Sequence, residues 1–361
     1  MRRRVARVGQ DRMGQQARER VGVVLVNTGT PASTSVADVR RYLGQFLNDP
    51  RVIDIPAWQR WLLLNCIILR FRPAKSAAAY RKIWTDRGSP LLVHGLDLAA
   101  GMQAALGEQA LVKLAFQFGD PSIPQAFQAF ADAGITRVCV VPLFPQYASA
   151  STGSAVQAAI ESAAKRWVIP SLHVVPPFWS AAEFLDGMAG HLQDAMGQEE
   201  PDHVVLSFHG VPEHHCTQTD ETGKHCLKST TCCDSLQAAN ASCYRAQCYA
   251  TARGILARLQ LDPAHTTVAF QSRLGRVPWI KPYTDVVLTE LAAKGVRKIV
   301  VAEPSFVADC LETLEEIGIR GREDFRAAGG EDLALVRSLN ADPQWAAGLA
   351  QIVRRSCAWL A

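Results

Sequence analysis

The chain has 361 residues, 48% of them apolar and 20% charged, which suits a globular protein with room for two domains of ordinary size. A formal charge of +4 is mild at this length and gives no reason to expect a nucleic-acid partner. No apolar run approaches the roughly 18 residues that a membrane-spanning helix needs.

The opening segment, MRRRVARVGQDRMGQQARER, holds seven arginines against Asp11 and Glu19 and lacks the apolar stretch of a secretory signal. Residues 1–20 are expected to form a basic, disordered leader, with contact to anionic lipid as the other reading. Without an export signal the expected compartment is the cytoplasm, where thiols stay reduced.

Strands and helices then alternate. VGVVLVNTG (21–29), VKLAFQFG (112–119) and RVCVVPLF (137–144) are near-continuous β-branched runs, the pattern of parallel strands covered on both faces. HVVLSFHG (203–210), TVAFQSR (267–273) and KIVVAEPSF (298–306) repeat it. Amphipathic stretches such as SIPQAFQAFADAG and YTDVVLTELAAKG separate them, so the chain reads as βαβ units. VVLVNTG is echoed by VVLSFHG and AFQ recurs at 115–117 and 269–271, at unequal spacings of 181 and 154 residues. The expected fold is therefore α/β, with two similar doubly wound, Rossmann-like domains over 21–170 and 171–361, joined near the Pro-rich segment 168–180. Ligands in such sheets sit beyond the strand C-termini.

Between the first two strands lies PAWQRWLLLNCIILRFRPAK (56–75), where Trp58 precedes the nine-residue, largely apolar run WLLLNCIIL that Trp61 opens, followed by Arg70, Arg72 and Lys75. A buried helix explains this pattern. So does an apolar lip rimmed by cations, which would touch a membrane surface or admit a large apolar substrate with acidic tails.

Three features carry chemistry. His209 ends a buried strand ahead of Gly210, where it is either a satisfied structural imidazole or a group aimed into the interdomain crevice. In EPSFVADCLETLEEIGI, Asp309, Glu312 and Glu316 fall at i, i+3 and i+7 with Glu315 beside them. That row is either a solvated acidic face or a set of hard oxygen ligands, which together with imidazole suit Fe(II) or Zn(II). Six of the ten cysteines fall between Cys216 and Cys248. In a reducing compartment, such a concentration points to metal ahead of disulfides.

The motifs LVNTGTP, YLGQFLNDPRVIDIP, YRKIWTDRGSPL, PLFPQYASASTGSA, SFHGVP, FQSRLGRVPWIKPYTD and ADCLETLEEI occur in this order over roughly residues 21–340. Together they resemble the ferrochelatases, enzymes that insert ferrous iron into a porphyrin. The resemblance implies a porphyrin held between two similar domains, with His209 and Glu312 as the essential pair and Fe(II) as substrate. Asp309, Glu315 and Glu316 become a possible delivery path. Thr28, Pro31, Phe118, Tyr147 and Trp279 occupy matching motif positions and are candidates to hold the porphyrin. Some relatives carry a histidine where this chain has Cys310, so iron delivery here is expected to rest on carboxylates.

The resemblance also bears on the cysteines. The segment 213–248 is longer than in the plainest relatives, and a subset of ferrochelatases carries a two-iron, two-sulfur cluster. The spacing C-x5-C-C-x9-C-x4-C lacks the C-x2-C pairs of structural zinc sites. It partly matches the C-x4-C of plant-type clusters. The expectation is a 2Fe-2S cluster held by four of Cys226, Cys232, Cys233, Cys243 and Cys248, without Cys232 and Cys233 both binding; structural zinc is the alternative. The implied function is protohaem synthesis from protoporphyrin IX, in a cytoplasmic enzyme with possible peripheral contact to the inner membrane. The alternative is a chelatase for coproporphyrin or another tetrapyrrole.

Overall fold

A computed structural model describes residues 20–275 and 277–361. The leader expected over 1–20 lies outside the described residues except for Arg20. The six β-branched runs are all strands: β1 (Val21–Gly29), β2 (Ala110–Phe118), β3 (Arg137–Pro142), β5 (His203–His209), β6 (Thr266–Gln271) and β7 (Lys298–Ala302). Two further strands, β4 (Ser171–Val174) and β8 (Asp332–Leu335), lie at sheet edges. Each is four residues long and only partly buried, so neither produces the apolar run that marks the others.

The two sheets are parallel and have the same order, β2-β1-β3-β4 and β6-β5-β7-β8. The sequence echo is thus a structural repeat. β4 pairs with β3, so the first sheet extends past the division expected at 170/171, and the Pro-rich segment contributes its edge strand. Both central strands are covered on both faces. Val23, Val24, Leu25 and Val26 in β1, and Val205, Leu206, Ser207 and Phe208 in β5, have no exposed surface. In each sheet the order reverses at the central strand, and the crevice beyond the C-terminal ends of β1/β3 and β5/β7 is where a ligand is held.

Helices cover the sheets and end at local signals. Ser35 caps the helix Val36–Leu47 by accepting from the Asp38 amide at 3.1 Å, and Ser122 and Gln125 form a capping box ahead of Ile123–Asp132. The stretch from Ala57 to Ile83 is helical throughout, with a π-helical segment at Leu63–Ile68. Trp58, Trp61, Leu62, Ile67 and Phe71 on it are all exposed, which excludes the buried-helix reading and leaves the apolar lip.

The C-terminal helix Pro343–Ser356 returns to the first half and packs on Pro90–Leu106. A Cβ on Gly101 would stand 2.9 Å from that of Ala346, so glycine is what allows the approach. Trp345 fills the joint against Phe178 and Phe184, with ring centroids at 5.8 and 6.1 Å. Trp345→Ala is expected to cost about 3–5 kcal/mol, the usual result of emptying a fully buried aromatic site. A thermal midpoint within a degree or two of the parent would show that this helix does not hold the halves together.

Candidate active site

A cleft of about 1050 Å³ opens between the two halves, bounded on one side by the lip. Its walls are the loops after the strands: Asn27–Thr30 and Leu143–Ser151 from the first sheet, with His209–Pro212, Gln271–Leu274 and Ser305–Ala308 from the second. Ile67, Phe71, Arg72 and Lys75 of the lip region complete it.

His209 ends β5, still paired with Gln271 of β6 but past the last residue paired with β7. Its amide donates to Ser305 Oγ at 2.9 Å, and its carbonyl accepts from the Tyr244 hydroxyl at 2.8 Å. Its Nδ1 lies 2.6 Å from the Gly210 carbonyl oxygen. A carbonyl only accepts, so Nδ1 carries a proton, and in the neutral ring the free lone pair is then on Nε2. The ring is held between Trp279 and Phe306, at centroid distances of 6.4 and 6.1 Å. Gly210 makes this possible, because a Cβ there would stand 2.8 Å from the Gln271 carbonyl oxygen and 3.1 Å from the Trp279 ring. The Trp279 indole is fixed in turn by donating to the Leu274 carbonyl at 2.8 Å.

The same half carries a ten-residue π-helix, Glu312–Gly321, whose first carbonyl accepts from Gln271 Nε2 at 3.1 Å. The wider π turn changes which acidic residues share a face from the i, i+3, i+7 row expected of an α-helix, and such segments are frequent at functional sites. Glu312 and Glu316 both line the cleft. Glu316 is oriented by the Ser272 amide at 3.0 Å and the Ser272 hydroxyl at 2.7 Å. Ser272 has φ +66°, a conformation that a side-chain-bearing residue keeps only when its surroundings enforce it. Burial pushes the Glu316 carboxyl up, opposed by the Ser272 hydrogen bond.

The other carboxylates of the expected delivery path are placed differently. Asp309 is buried away from the cleft lining, where it accepts from Asn340 Nδ2 at 2.7 Å and the Ser338 amide at 3.2 Å. It precedes the helix and anchors its start. Glu315 reaches the cleft wall, but Lys82 from the lip-side helix holds it at 3.1 Å and Arg320 at 3.5 Å. It is an ion-pair partner tying the two halves together.

Of the residues expected at the porphyrin, Thr28 and Trp279 line the cleft. Phe118 packs on Phe46 at 5.4 Å, and it is Phe46 that reaches the cleft. Pro31 is buried behind the wall. Tyr147 faces a separate recess with Trp179 and Ser242, its amide held by Gln247 Oε1 at 2.7 Å. Glu303, at the end of β7, did not emerge from the sequence. It is buried, neither carboxyl oxygen has a hydrogen-bond partner, and burial drives its carboxyl up. Its signal was an acid closing an otherwise apolar strand, KIVVAE.

The thiol-rich segment packs beside β5 and its cysteines are all buried and reduced. Asp220 orders its turn by accepting from the amides of His225 and Cys226, both at 2.8 Å. Asn240 donates to the Cys232 and Ser235 carbonyls at 2.8 and 2.9 Å. Cys232 and Cys233 place their sulfurs 3.7 Å apart, and Arg245 donates to the Cys233 sulfur at 3.1 Å. Cys243 takes hydrogen bonds from the thiols of Cys216 and Cys226, which against its burial bring it down to about 6. Cys216, not among the expected ligands, therefore joins the group, while Cys248 lies further along the helix Tyr244–Leu259, against Tyr244. Among the described residues, no three His, Cys, Asp or Glu side chains are placed to hold a single metal ion.

The family model described as Ferrochelatase matches residues 20–357. The chain belongs to the ferrochelatase family. A ferrochelatase of Pseudomonas fluorescens (strain Pf0-1) is 48% identical over 335 residues, covering 92% of this chain and 97% of the relative. One from Coxiella burnetii (strain Dugway 5J108-111) is 42% identical over 337 residues, covering 93% and 94%. Among solved structures, SirB from Bacillus subtilis with Fe3+ superposes with a TM-score of 0.51 at 14% identity, covering 94% of this chain and 96% of that one. At that identity the likeness concerns the fold: two like α/β halves enclosing a cleft. The ferrochelatase family consists of metal–porphyrin chelatases, and this cleft lies inside the matched span with His209 and Glu312 both on its walls.

Glu312→Gln is expected to lower kcat for chelation by about 10²–10⁴-fold, the range for a positioned acid–base group. Glu315→Gln removes an ion pair and should cost far less in kcat. Equal losses would mean that general negative charge, not one carboxylate, is what matters.

Proposed function

We propose that the chain is a protoporphyrin ferrochelatase, inserting Fe(II) into protoporphyrin IX with release of two protons. The observation that carries this reading is the His209 imidazole, fixed by its Nδ1–H on the Gly210 carbonyl, in one cleft with Glu312 and Glu316. Porphyrin metallation requires two pyrrole N–H protons to leave as the metal enters, and pyrrole nitrogens are feeble acids. A neutral imidazole accepts one proton, and a carboxylate in the same cleft is available for the other. The same groups are hard and borderline ligands suited to Fe(II). Trp279 and the apolar cleft wall offer a flat macrocycle its contacts, and Arg72 and Lys75 at the rim are suited to its two propionates. Coproporphyrin, with four carboxylates, is the alternative substrate and would ask for more cations at the rim.

The exposed lip supports peripheral attachment to a membrane surface from which an apolar porphyrin enters. Trp58, Trp61 and Phe71 are each more than half exposed beside Arg70, Arg72 and Lys75, and reduced binding of Trp61→Ala to anionic vesicles checks this reading.

The thiol segment suits a 2Fe-2S cluster. Such a cluster takes two thiolates on each iron, and two sulfurs bound tetrahedrally to one metal at about 2.3 Å stand roughly 3.8 Å apart. The Cys232 and Cys233 sulfurs meet that spacing, which favours both binding over the one expected of neighbours. Cys243 with Cys216 or Cys226 would supply the second pair. A cation beside Cys233 and a depressed Cys243 both favour thiolate, the form that binds metal. When bound, the cluster would cross-link the segment beside the strand that presents His209; the insertion reaction itself transfers no electron.

His209→Ala is expected to bind porphyrin yet lose chelation, followed by the spectral change on anaerobic addition of Fe(II); near-normal turnover would overturn the assignment. Purified protein is expected to be red-brown, with about two irons and two acid-labile sulfides per chain for a cluster of this type. Cys243→Ser should bleach it. A colourless protein carrying one zinc would replace the cluster with the structural-zinc alternative.

A further inference from the structure

The backbone of His209 faces the side on which β7 has already ended. The last β5–β7 pair is Leu206 with Ala302, while the next amide, that of Gly210, donates the other way to the Gln271 carbonyl of β6 at 2.8 Å. Peptide groups at a buried strand end need partners from outside the sheet, or they cost free energy. Ser305, in the loop directly after β7, takes the His209 amide at 2.9 Å. The His209 carbonyl is met from much further along the chain, by the Tyr244 hydroxyl at 2.8 Å. Ser305 is also hydrogen-bonded to that hydroxyl, so one linked pair holds both backbone groups.

Tyr244 is rooted in the thiol segment. It opens the helix Tyr244–Leu259, and Cys243 caps that helix, its carbonyl accepting from the Gln247 amide at 3.1 Å. Tyr244 is buried, and burial raises its hydroxyl above the ordinary range, so it remains a donor. Cys216 lies in the short helix Glu213–Thr217 that follows His209, and this helix packs against Tyr244–Leu259. The Cys216 thiol donates to Cys243, and both residues are buried. The chain thus closes a circuit. It runs along the backbone from His209 to Cys216, through the sulfur contact to Cys243, on to adjacent Tyr244, and through its hydroxyl back to the His209 carbonyl. The imidazole stands at one end and the two thiols at the other.

We propose that Tyr244 is a positioning residue for His209, and that the Cys216–Cys243 contact sets where its hydroxyl stands. This role rests on the reading of His209 as the proton acceptor in the cleft. A tyrosine has only two side-chain torsions, so its hydroxyl follows the backbone that carries it. That backbone is the first turn of a helix whose cap is Cys243. A shift of one sulfur against the other therefore moves the hydroxyl, and with it the carbonyl that places the imidazole. Displacements well under the length of a bond matter to a reacting group, since a misplacement of about 1 Å can cost about a hundredfold in rate. Tyr244 also reaches the cleft wall, but its proton is engaged by the His209 carbonyl, so it acts through His209 and not on a substrate. Packing alone would be served by phenylalanine, which fills the same space without the hydroxyl.

Tyr244→Phe makes that exchange. It is expected to lower kcat for chelation about tenfold, as a buried carbonyl deprived of its donor would. KM for protoporphyrin should stay within about twofold and the thermal midpoint within about two degrees of the parent. Hydrogen exchange followed by mass spectrometry gives a readout independent of turnover. Residues 203–210 should exchange faster in Tyr244→Phe, and the later turns of the helix Tyr244–Leu259 should not. Cys216→Ala should speed exchange in the same strand, from the far end of the circuit. Tyr249→Phe, on the same helix but packed on Phe270, should leave it as protected as in the parent. An unchanged kcat in Tyr244→Phe, a lowered midpoint with exchange rising along the whole helix, or undiminished protection of 203–210 in Cys216→Ala would each overturn the proposal. Parent protein that does not metallate porphyrin would strike the chelatase reading instead, and the exchange measurements would still decide whether the thiols hold His209.

Discussion

A histidine closing a fully buried parallel strand has to satisfy one ring nitrogen locally if the other is to stay free. Here the Gly210 carbonyl takes the Nδ1 proton, Ser305 takes the backbone amide and Tyr244 the backbone carbonyl. Everything else about the site depends on that fixation. Gly210 has no side chain, so Trp279 comes close enough to brace the ring, and the bridge between Pro212 and the Trp279 segment keeps both loops in register. The result is an imidazole whose second ring nitrogen is presented to a cleft without the entropy cost of ordering it at each turnover.

The two halves divide the work. The second sheet supplies the imidazole, the braced tryptophan and the π-helix with Glu312 and Glu316. The first supplies a wall at Asn27–Thr30 and the lip that borders the cleft. They are held in register by a C-terminal helix that packs on the first half and by the Lys82–Glu315 ion pair near the site itself. Glu315 thus belongs to the contacts between the halves, and Glu312 and Glu316 line the cleft. Adjacent acids in one short motif acquire different roles because a π turn and one lysine from the other half separate them. Glu303 adds a buried carboxyl near the same helix, a polar group kept without a hydrogen-bond partner and pushed up by its burial.

The thiol segment shows how a loop can be ordered before any metal is considered. Asp220 and Asn240 satisfy its backbone, and Arg253 holds the Cys233 carbonyl at 2.9 Å. That framework buries the sulfurs together, so the cost of gathering them is met by hydrogen bonds. A thiolate at Cys243 is favoured because neighbouring thiols donate to it, which is a property of their arrangement.

Much of this protein was legible in its sequence. Runs such as VGVVLVNTG and HVVLSFHG are apolar on both faces and end in glycine, which suffices for buried parallel strands, and their echo told of two like domains with His209 at a strand end. The edge strands SLHV and DLAL were not legible, because four half-buried residues leave no period to detect. Family motifs brought Thr28 and Trp279 to the cleft but also nominated Phe118 and Tyr147, which turn away from it, since a motif position fixes the backbone and packing decides which side chain faces the ligand. The sequence by itself determined the strand cores, their repeat and the residue types available for chemistry. Only the tertiary structure decided that Asp309 anchors a helix, that Glu315 is taken by Lys82, that Cys216 stands with Cys243, and that the Trp-rich lip is exposed. Each of these depends on contacts between segments far apart in the chain, and no local period records them.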